Sequence, residues 1–281
     1  MEKVSTEGLP RKSRFPEWLR RPIGETVSTR QLLRDLRLNT VCESARCPNI
    51  GECFTKRRAT FMILGEVCTR RCSFCAIPKG EPRLVDPDEP RRLAQAAQRL
   101  GLKHVVVTMV TRDDLEDGGA SQFVKVIEAL KASSPEATVE VLTSDFQGRE
   151  ESIRQVVAAG PDIYNHNLET VERLQRRLRP YATYERSLRV LQLVKERDAH
   201  CLTKSGIMVG LGETEEEVSA AMGDLRSVQC DLLTVGQYLQ SDPRNLPVAQ
   251  FVPPDQFHRY ETMAYALGFT FVSSGPFVRS S

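Results

Sequence analysis

Three observations predict an α/β fold built on a parallel sheet. Six short apolar runs, rich in β-branched residues, recur from residue 60 onward. Amphipathic stretches of helical period separate them, several opening near Ser, Thr or Asp or closing on Gly. Unusual polar residues gather just after the apolar runs, where parallel sheets and barrels place their active sites. Strands alternating with helices at this spacing make βαβ units, hence either a doubly wound sheet or a partial barrel.

In chain order, residues 1–59 precede the repeat and read as an extension. "TFMILG" (60–65) is the first strand candidate, followed by a cysteine-rich loop and the helical "DEPRRLAQAAQRLG". "HVVVTMV" (104–110) leads into "TRDDLEDGG" and the helical "ASQFVKVIEALKAS". "TVEVLTS" (138–144) precedes the helical "REESIRQVVAAG", and "DIYNHNL" (162–168) ends in an Asn-His-Asn cluster. "YERSLRVLQLVKERD" reads as the helix before "LTKSGIMVG" (202–210), which carries "GET" just beyond it. "TEEEVSAAMGDLRSV" then precedes "DLLTVGQYL" (231–239). Residues 240–253 are proline-rich and irregular; a last helix, "DQFHRYETMAYALG", leads into "FTFVSSGPFVRSS". There is no further internal repeat and no low-complexity tract.

The 281-residue chain carries 39 Lys and Arg against 37 Asp and Glu, net +2, which favours neither a nucleic acid nor a membrane as partner. No run is long enough to cross a bilayer. The amino terminus lacks the apolar segment of a signal peptide and already contains acids, so a cytoplasmic location is expected. Its basic residues Arg11, Lys12, Arg14, Arg20 and Arg21 read either as a solvated face or as a surface that steers an acidic protein.

Six of the eight cysteines form two local triplets: Cys42, Cys47 and Cys53 in "CESARCPNIGEC", and Cys68, Cys72 and Cys75 in "CTRRCSFC". Tight clustering and the absence of an export signal argue against disulfides. Cys201 and Cys230 each start an apolar run and read as small buried hydrophobes. Structural zinc needs four ligands, usually as paired C-x₂-C knuckles; here there is one such pair, and the four histidines are scattered. Thiolate triplets suit four-iron cubes, whose irons favour soft sulfur ligands. Three cysteines leave one iron open to bind something else, whereas a cluster that only carries electrons is normally closed by four.

C-x₃-C-x₂-C after the first strand, with Phe74 before the last cysteine, resembles the radical S-adenosylmethionine (SAM) superfamily. The upstream C-x₄-C-x₅-C triplet narrows the likeness, because "VCESARCPNIGECF" with "TFMILGEVCTRRCSFCAI" resembles the lipoyl synthase family. "TRDDLEDGGA", "YNHNLETVERL", "KSGIMVGLGETEEEV", "GQYLQ" and the terminal "GPFVRSS" are similar to the same family, so the resemblance runs over roughly residues 15–281. Thr111 stands where the family usually has Asp, Glu172 where Pro is common, and the chain stops at Ser281 without the family's short tail.

The resemblance implies a partial (βα)₆ parallel barrel of the radical SAM type over residues 60–240. Residues 1–59 then form an N-terminal extension carrying the cysteines of an auxiliary cluster, and residues 241–281 a C-terminal extension closing that site. It implies two 4Fe-4S clusters and SAM as cofactors. At the Cys68, Cys72 and Cys75 cluster, one electron cleaves SAM to methionine and a 5′-deoxyadenosyl radical. The Cys42, Cys47 and Cys53 cluster, closed by a serine of the terminal R-S-S motif (Ser281, or Ser280), supplies sulfur. The implied reaction inserts two sulfurs at C6 and C8 of an octanoyl chain on a lysine. Those saturated carbons have no neighbouring carbonyl, so acid–base chemistry cannot activate them. A biotin-synthase-like sulfur inserter is the alternative, disfavoured by the upstream triplet.

Among the weaker candidates, Phe74 reads as a stacking partner for adenine or as core. Asn165, His166 and Asn167 read as SAM or substrate contacts, with a structural histidine as the rival reading. Glu169 and Lys204 suit the amino and carboxylate groups of methionine, or a cap and a salt bridge. Arg279 is placed as a guard of the second cluster, and Asp113, Asp114 and Asp117 as acids that shape their loop or bind SAM. The implied partners are an octanoylated lipoyl carrier domain, either a 2-oxoacid dehydrogenase E2 subunit or the glycine cleavage H protein, and a low-potential electron donor such as ferredoxin or flavodoxin. A monomer is expected.

Overall fold

The computed structural model describes residues 16–19 and 26–280. Eight strands form one sheet: β1 (Asn39–Thr40), β2 (Thr60–Ile63), β3 (His104–Met109), β4 (Thr138–Leu142), β5 (Ile163–Asn165), β6 (Leu202–Val209), β7 (Leu232–Gln237) and β8 (Phe271–Gly275). They pair in strict chain order, β1 antiparallel to β2 and every later pair parallel.

That order decides between the two architectures the sequence allowed. A doubly wound sheet reverses strand order at a switch point, and no reversal occurs here. Parallel crossovers of one hand put the helices on one face, and β1 and β8 do not pair, so the sheet is an open, partial barrel. The helices are α1 (Val27–Asp35), α2 (Val41–Ser44), α3 (Ile50–Thr55), α4 (Glu89–Leu100), α5 (Ala120–Ser133), α6 (Glu150–Ala158), α7 (Glu172–Leu178), α8 (Tyr184–Arg197), α9 (Glu215–Ser227) and α10 (Pro254–Ala266).

All six predicted strands and all six predicted helices are present, with ends shifted by a few residues. The sequence reading did not mark β1, β8, α7, or the helices α1, α2 and α3 of the extension before residue 60. β1 is two residues long, α7 is a seven-residue helix in an arginine-rich stretch, and β8 is half-exposed. Strand periodicity divides the sheet's two faces. Val105, Val107, Val139, Val141, Val209 and Leu233 are fully buried under the helices. Their alternates Thr108, Leu142, Gly206, Met208, Thr234 and Gly236 face inward and line a cavity. Cys201 and Cys230 are buried in the core, as expected.

Two of those inward positions need glycine. A Cβ on Gly206 would stand 2.8 Å from Thr234 Oγ1 and 2.9 Å from Ser280 Cβ, and one on Gly236 would collide with the Val278 carbonyl oxygen. The two glycines therefore make room for the carboxyl-terminal segment to run inside the sheet.

Candidate active site

The cavity at the carboxyl ends of the strands measures about 540 Å³. Five of the six clustered cysteines line it: Cys42 and Cys47 from one triplet, and Cys68, Cys72 and Cys75 from the other. Cys53 is half-buried on α3 and packs against the core beside them. Phe74, His166, Asn167, Glu169, Arg279 and Ser280 share the wall.

The Cys68–Cys75 loop is held at several points. Its first turn is tied to the segment after β3, since Thr69 N and Oγ1 donate to the Thr111 carbonyl at 3.1 and 3.0 Å. Arg70, inside the motif, is almost fully buried. It makes a fork of 2.7 and 2.9 Å to Asp113 and a 2.6 Å bond to the fully buried Asp145. Burial disfavours its charge, but these two carboxylates outweigh burial and hold Arg70 above the ordinary guanidinium value. Burial likewise raises Asp145, yet Arg70 brings it down to about 2. The far end is pinned by Ser73 N to the Leu178 carbonyl (3.0 Å) and Leu246 N to the Ser73 carbonyl (3.0 Å).

The upstream triplet sits on the short helices α2 and α3, outside the parallel sheet. Thr40 caps α2 by accepting from Glu43 N. The carboxyl-terminal segment closes this side: Asn49 Nδ2 donates to the Phe277 carbonyl at 2.7 Å. Asn165 Nδ2 donates to both the carbonyl and Oγ of Ser280 at 3.1 Å, and Ser280 Oγ donates to Asn167 Oδ1. Burial pulls Arg279 below its ordinary value, and the Cys47 sulfur opposes that pull. Ser281 lies outside the described residues, as do Arg11, Lys12, Arg14, Arg20 and Arg21.

Several roles expected from the sequence are re-sited. Lys204 is absent from the cavity wall: its Nζ reaches past β5 to pair at 2.7 Å with Glu140, buried on β4. Asn165 also stands behind the wall, between Glu140 and Ser280. Asp114 pairs with Arg112, and Asp117 accepts from Gly119 N and Ser121 N, so both shape the loop before α5. Phe74 serves two surfaces, lining the cavity and packing against the second core cluster.

Glu169 occupies an unusual backbone state, with φ +71°, the left-handed region that costs a non-glycine residue about 1–3 kcal/mol. It is locked there by bonds of 2.9 Å from its N–H to the Gly206 carbonyl and from Met208 N–H to its own carbonyl. Its carboxyl accepts from Asn167 Nδ2 at 3.1 Å, and burial raises its pKa against the opposing charge of Arg179. The sequence reading missed Arg179, which is buried in the cavity wall and acts electrostatically on both Cys72 and Glu169. Nothing in "RLQRRLRPY" separates it from its exposed neighbours; only the fold does.

His166 is buried, with Nδ1 3.0 Å from the Thr143 carbonyl, so Nδ1 carries the proton and Nε2 is left without a partner among the described residues. Burial first, then the charge of Arg179, lower its pKa to about 4, so the ring is neutral near pH 7.

The donor chemistry fits iron–sulfur clusters. All eight cysteines are free. Burial raises Cys42 and Cys72 to about 11 and pushes Cys75 and Cys53 upward as well, so metal binding there must displace protons. Among the described residues no three His, Cys, Asp or Glu side chains converge on a single ion. The thiols instead act on one another in two trios, Cys47 and Cys53 on Cys42, and Cys75 and Cys68 on Cys72, each a soft donor set of the kind iron–sulfur clusters take. Arg179 and Lys79 lend positive charge beside Cys72 and Cys75, which opposes the effect of burial there and favours their thiolate forms.

Comparison with known proteins agrees with this geometry. The Radical SAM superfamily matches residues 62–225. The lipoyl synthase of Caldanaerobacter subterraneus subsp. tengcongensis is 59% identical, over 95% of this chain and 95% of that protein. The lipoyl synthase of Caldicellulosiruptor bescii is 51% identical, over 95% of this chain and 92% of that protein. Among solved structures, Streptococcus suis SuiB bound to its precursor peptide SuiA superposes with a TM-score of 0.60 at 12% identity, over 76% of this chain and 48% of that one. Methylornithine synthase (PylB) gives 0.52 at 16% identity, over 89% and 82%. At such identities these two speak for the fold alone.

Proposed function

The chain belongs to the lipoyl synthase family of the radical SAM superfamily, and from that premise we propose how its own residues divide the reaction. The overall reaction is the radical SAM-dependent insertion of two sulfur atoms at C6 and C8 of a protein-bound octanoyl-lysine. When bound, SAM and the two 4Fe-4S clusters supply a carbon radical that removes hydrogen from a saturated carbon, and the sulfur that replaces it.

Cys68, Cys72 and Cys75 hold the cluster that binds SAM, and Cys42, Cys47 and Cys53 hold the auxiliary one. The observation that carries this reading is the shared cavity: five of the six clustered thiols, two from the upstream triplet and all three of the Cys68–Cys75 loop, open into the same 540 Å³. An acyl chain between them meets an apolar wall of Met62, Ile77, Met109, Leu142, Met208 and Val278. Such a wall excludes water, which would otherwise compete at the reacting carbons.

Glu169 and Arg179, both in that wall, take the ammonium and carboxylate of the methionine moiety, with Asn167 orienting Glu169 and Phe74 against the adenine. The strain held at Glu169 supports such a role, because backbone strain of this kind clusters at ligand sites. Lys204 and Asn165 act from behind, by fixing Glu140 and the carboxyl-terminal segment.

Ser281 supplies the fourth auxiliary ligand. Ser280, the alternative, has its hydroxyl committed to Asn165 and Asn167, which supports the assignment to Ser281. A serine oxygen is a harder and weaker iron ligand than a thiolate, suiting a corner that must open. Ser281→Cys should keep the cluster yet slow turnover sharply; unchanged turnover would refute that role.

The substrate is an octanoylated carrier protein. The E2 subunit of a 2-oxoacid dehydrogenase or the glycine cleavage H protein fits, with ferredoxin or flavodoxin as electron source, a monomeric state and a cytoplasmic location. Among the described residues no helix is long and apolar enough to cross a membrane. Anaerobic incubation with an octanoylated lysine peptide, SAM and dithionite tests the whole reading. Mass spectrometry should find two added sulfurs per peptide, and 5′-deoxyadenosine without sulfur insertion would remove the auxiliary role.

A further inference from the structure

Within the Cys68–Cys75 loop, Ser73 faces away from the cavity. Cys72, Phe74 and Cys75 line the cavity, whereas Ser73 does not. On its other side Ser73 touches two segments: its N–H and hydroxyl reach the carbonyls of Leu178 and Arg177 at the end of α7, and its own carbonyl accepts from Leu246 N. Asn245 Nδ2 adds a 3.3 Å bond to the Phe74 carbonyl. These contacts bring four exposed arginines around one point: Arg71 in the loop, Arg176 and Arg177 on α7, and Arg244 beside Asn245. Tyr181, 54% exposed, stands just beyond α7.

Charge pairing separates this patch from Arg173, Arg154 and Arg189, though not from Arg57, Arg58 or Arg99, which also lack an ion-pair carboxylate among the described residues. What is particular here is the gathering of four arginines on the segments bonded to the Cys68–Cys75 loop. Arg173, on the same helix α7, is paired bidentately with Glu217, and the exposed Arg154 and Arg189 pair with Glu150. Among the described residues Arg71, Arg176 and Arg177 have no carboxylate within ion-pair distance, and only Arg244 has one, Asp242. Cations do suit the last turn of a helix, but that reason covers neither Arg71 nor Arg244. None of the four arginines lines the cavity.

We propose that this patch is the docking surface for an acidic, low-potential one-electron carrier protein. The proposal rests on the function given above. A partner delivering an acyl chain must cover the cavity, whereas one delivering an electron needs only the shortest path to the Cys68, Cys72 and Cys75 site. The outer side of Ser73 gives that path. In each encounter the partner loses one electron and the site beneath Ser73 gains it, with no atom transferred. The arginines steer the encounter, and Tyr181 gives it an amphipathic anchor.

The test uses the reconstituted holoenzyme and an acidic flavodoxin as probe. Binding is followed by fluorescence anisotropy at low and high salt, and single-turnover reduction by bleaching of the cluster absorbance. Wild-type binding should weaken with salt, and R176E/R177E should lose about tenfold or more in affinity and in reduction rate. R176Q/R177Q should fall between, and R99E/K103E, the same total charge change at the carboxyl end of α4, should stay within about twofold of wild type. With dithionite in place of flavodoxin, R176E/R177E should cleave SAM at the wild-type rate. Equal flavodoxin binding by wild type and R176E/R177E overturns the proposal. So does a raised KM for the octanoylated carrier protein under dithionite, which would give the patch to that partner. Failure of dithionite to drive SAM cleavage in wild type would instead sink the functional reading, and the docking site with it.

Discussion

The two thiol loops face one cavity but are anchored by different physics. The Cys68–Cys75 loop follows a buried strand and is clamped by charge-assisted bonds from Arg70 to Asp113 and Asp145. The Cys42–Cys53 segment lies on helices of four and six residues and is closed by the far end of the chain through neutral amide and hydroxyl bonds. Charged, buried bonds are the harder to open. The loop proposed for repeated reduction is thus built to stay fixed. The one proposed to lose its cluster is built so that a strap can lift and re-form.

Removing single thiols gives the largest expected effect and the plainest way to break this comparison. Cys72→Ala should abolish both 5′-deoxyadenosine formation and sulfur insertion, each by more than about a thousandfold. Cys47→Ala should abolish sulfur insertion alone. Chromatography of adenosine products beside peptide mass spectrometry separates the two outcomes. Loss of both activities in Cys47→Ala would mean that the two sites are one functional unit. Next in size is Arg70→Met. It leaves Asp145 buried with the Gln147 N–H at 3.0 Å and one cation, Arg186 at 3.3 Å, and removing one member of a buried pair costs about 3–5 kcal/mol. Thermal unfolding of the metal-free protein should show this as a large fall in Tm, and an unchanged Tm would leave the clamp without a role.

How far the sequence carried these conclusions depends on the range of the interaction. Strands β2 to β7 were legible because apolar runs bounded by turn residues are local signals, and the cysteine triplets because ligand spacing is local too. The open-barrel order was not legible in periodicity, which says nothing of which strands become neighbours; it was legible only through the family resemblance of the motifs, which implied the partial barrel that the strand order shows. Arg70 looked like any arginine in a basic loop; its importance comes from Asp145, 75 positions away. Lys204, read either as a methionine contact or as a salt bridge, stayed open for the same reason: a strand residue's face can be predicted, but its partner Glu140 is 64 positions distant. Arg179 carried no signal that its exposed neighbours Arg176 and Arg177 lacked.

Acid sharpens the comparison on the barrel side. His166 is buried, faced by Arg179, Asp145 and Arg70 and bonded to Thr143, with its pKa lowered from 6.5 to about 4. Between these values the unfolded chain binds a proton that the fold refuses, so stability rises with pH there. The contribution is complete above about pH 6.5, falls as pH drops, and is gone below about 4, a span of up to about 3 kcal/mol. Urea unfolding of the metal-free protein across pH 4–7 should show that slope, and His166→Asn should flatten it. An equal slope in the variant would place the sensitivity elsewhere.

The smallest effect probes the strap itself. Asn165 and Asn167 together hold Ser280 by neutral hydrogen bonds, each worth about 1 kcal/mol net. Asn165→Ala with Asn167→Ala should therefore barely move the global Tm. The strap, however, is a local element whose opening free energy is set by just these bonds and by Asn49. Losing about 1–2 kcal/mol from it raises its open population roughly five- to thirtyfold. Amide hydrogen exchange at residues 277–280 should speed up by that factor, while exchange at Arg70 to Ser73 stays constant. Matching acceleration in both segments would show that the two loops share one cooperative unit, and the contrast between a fixed clamp and a liftable strap would fail.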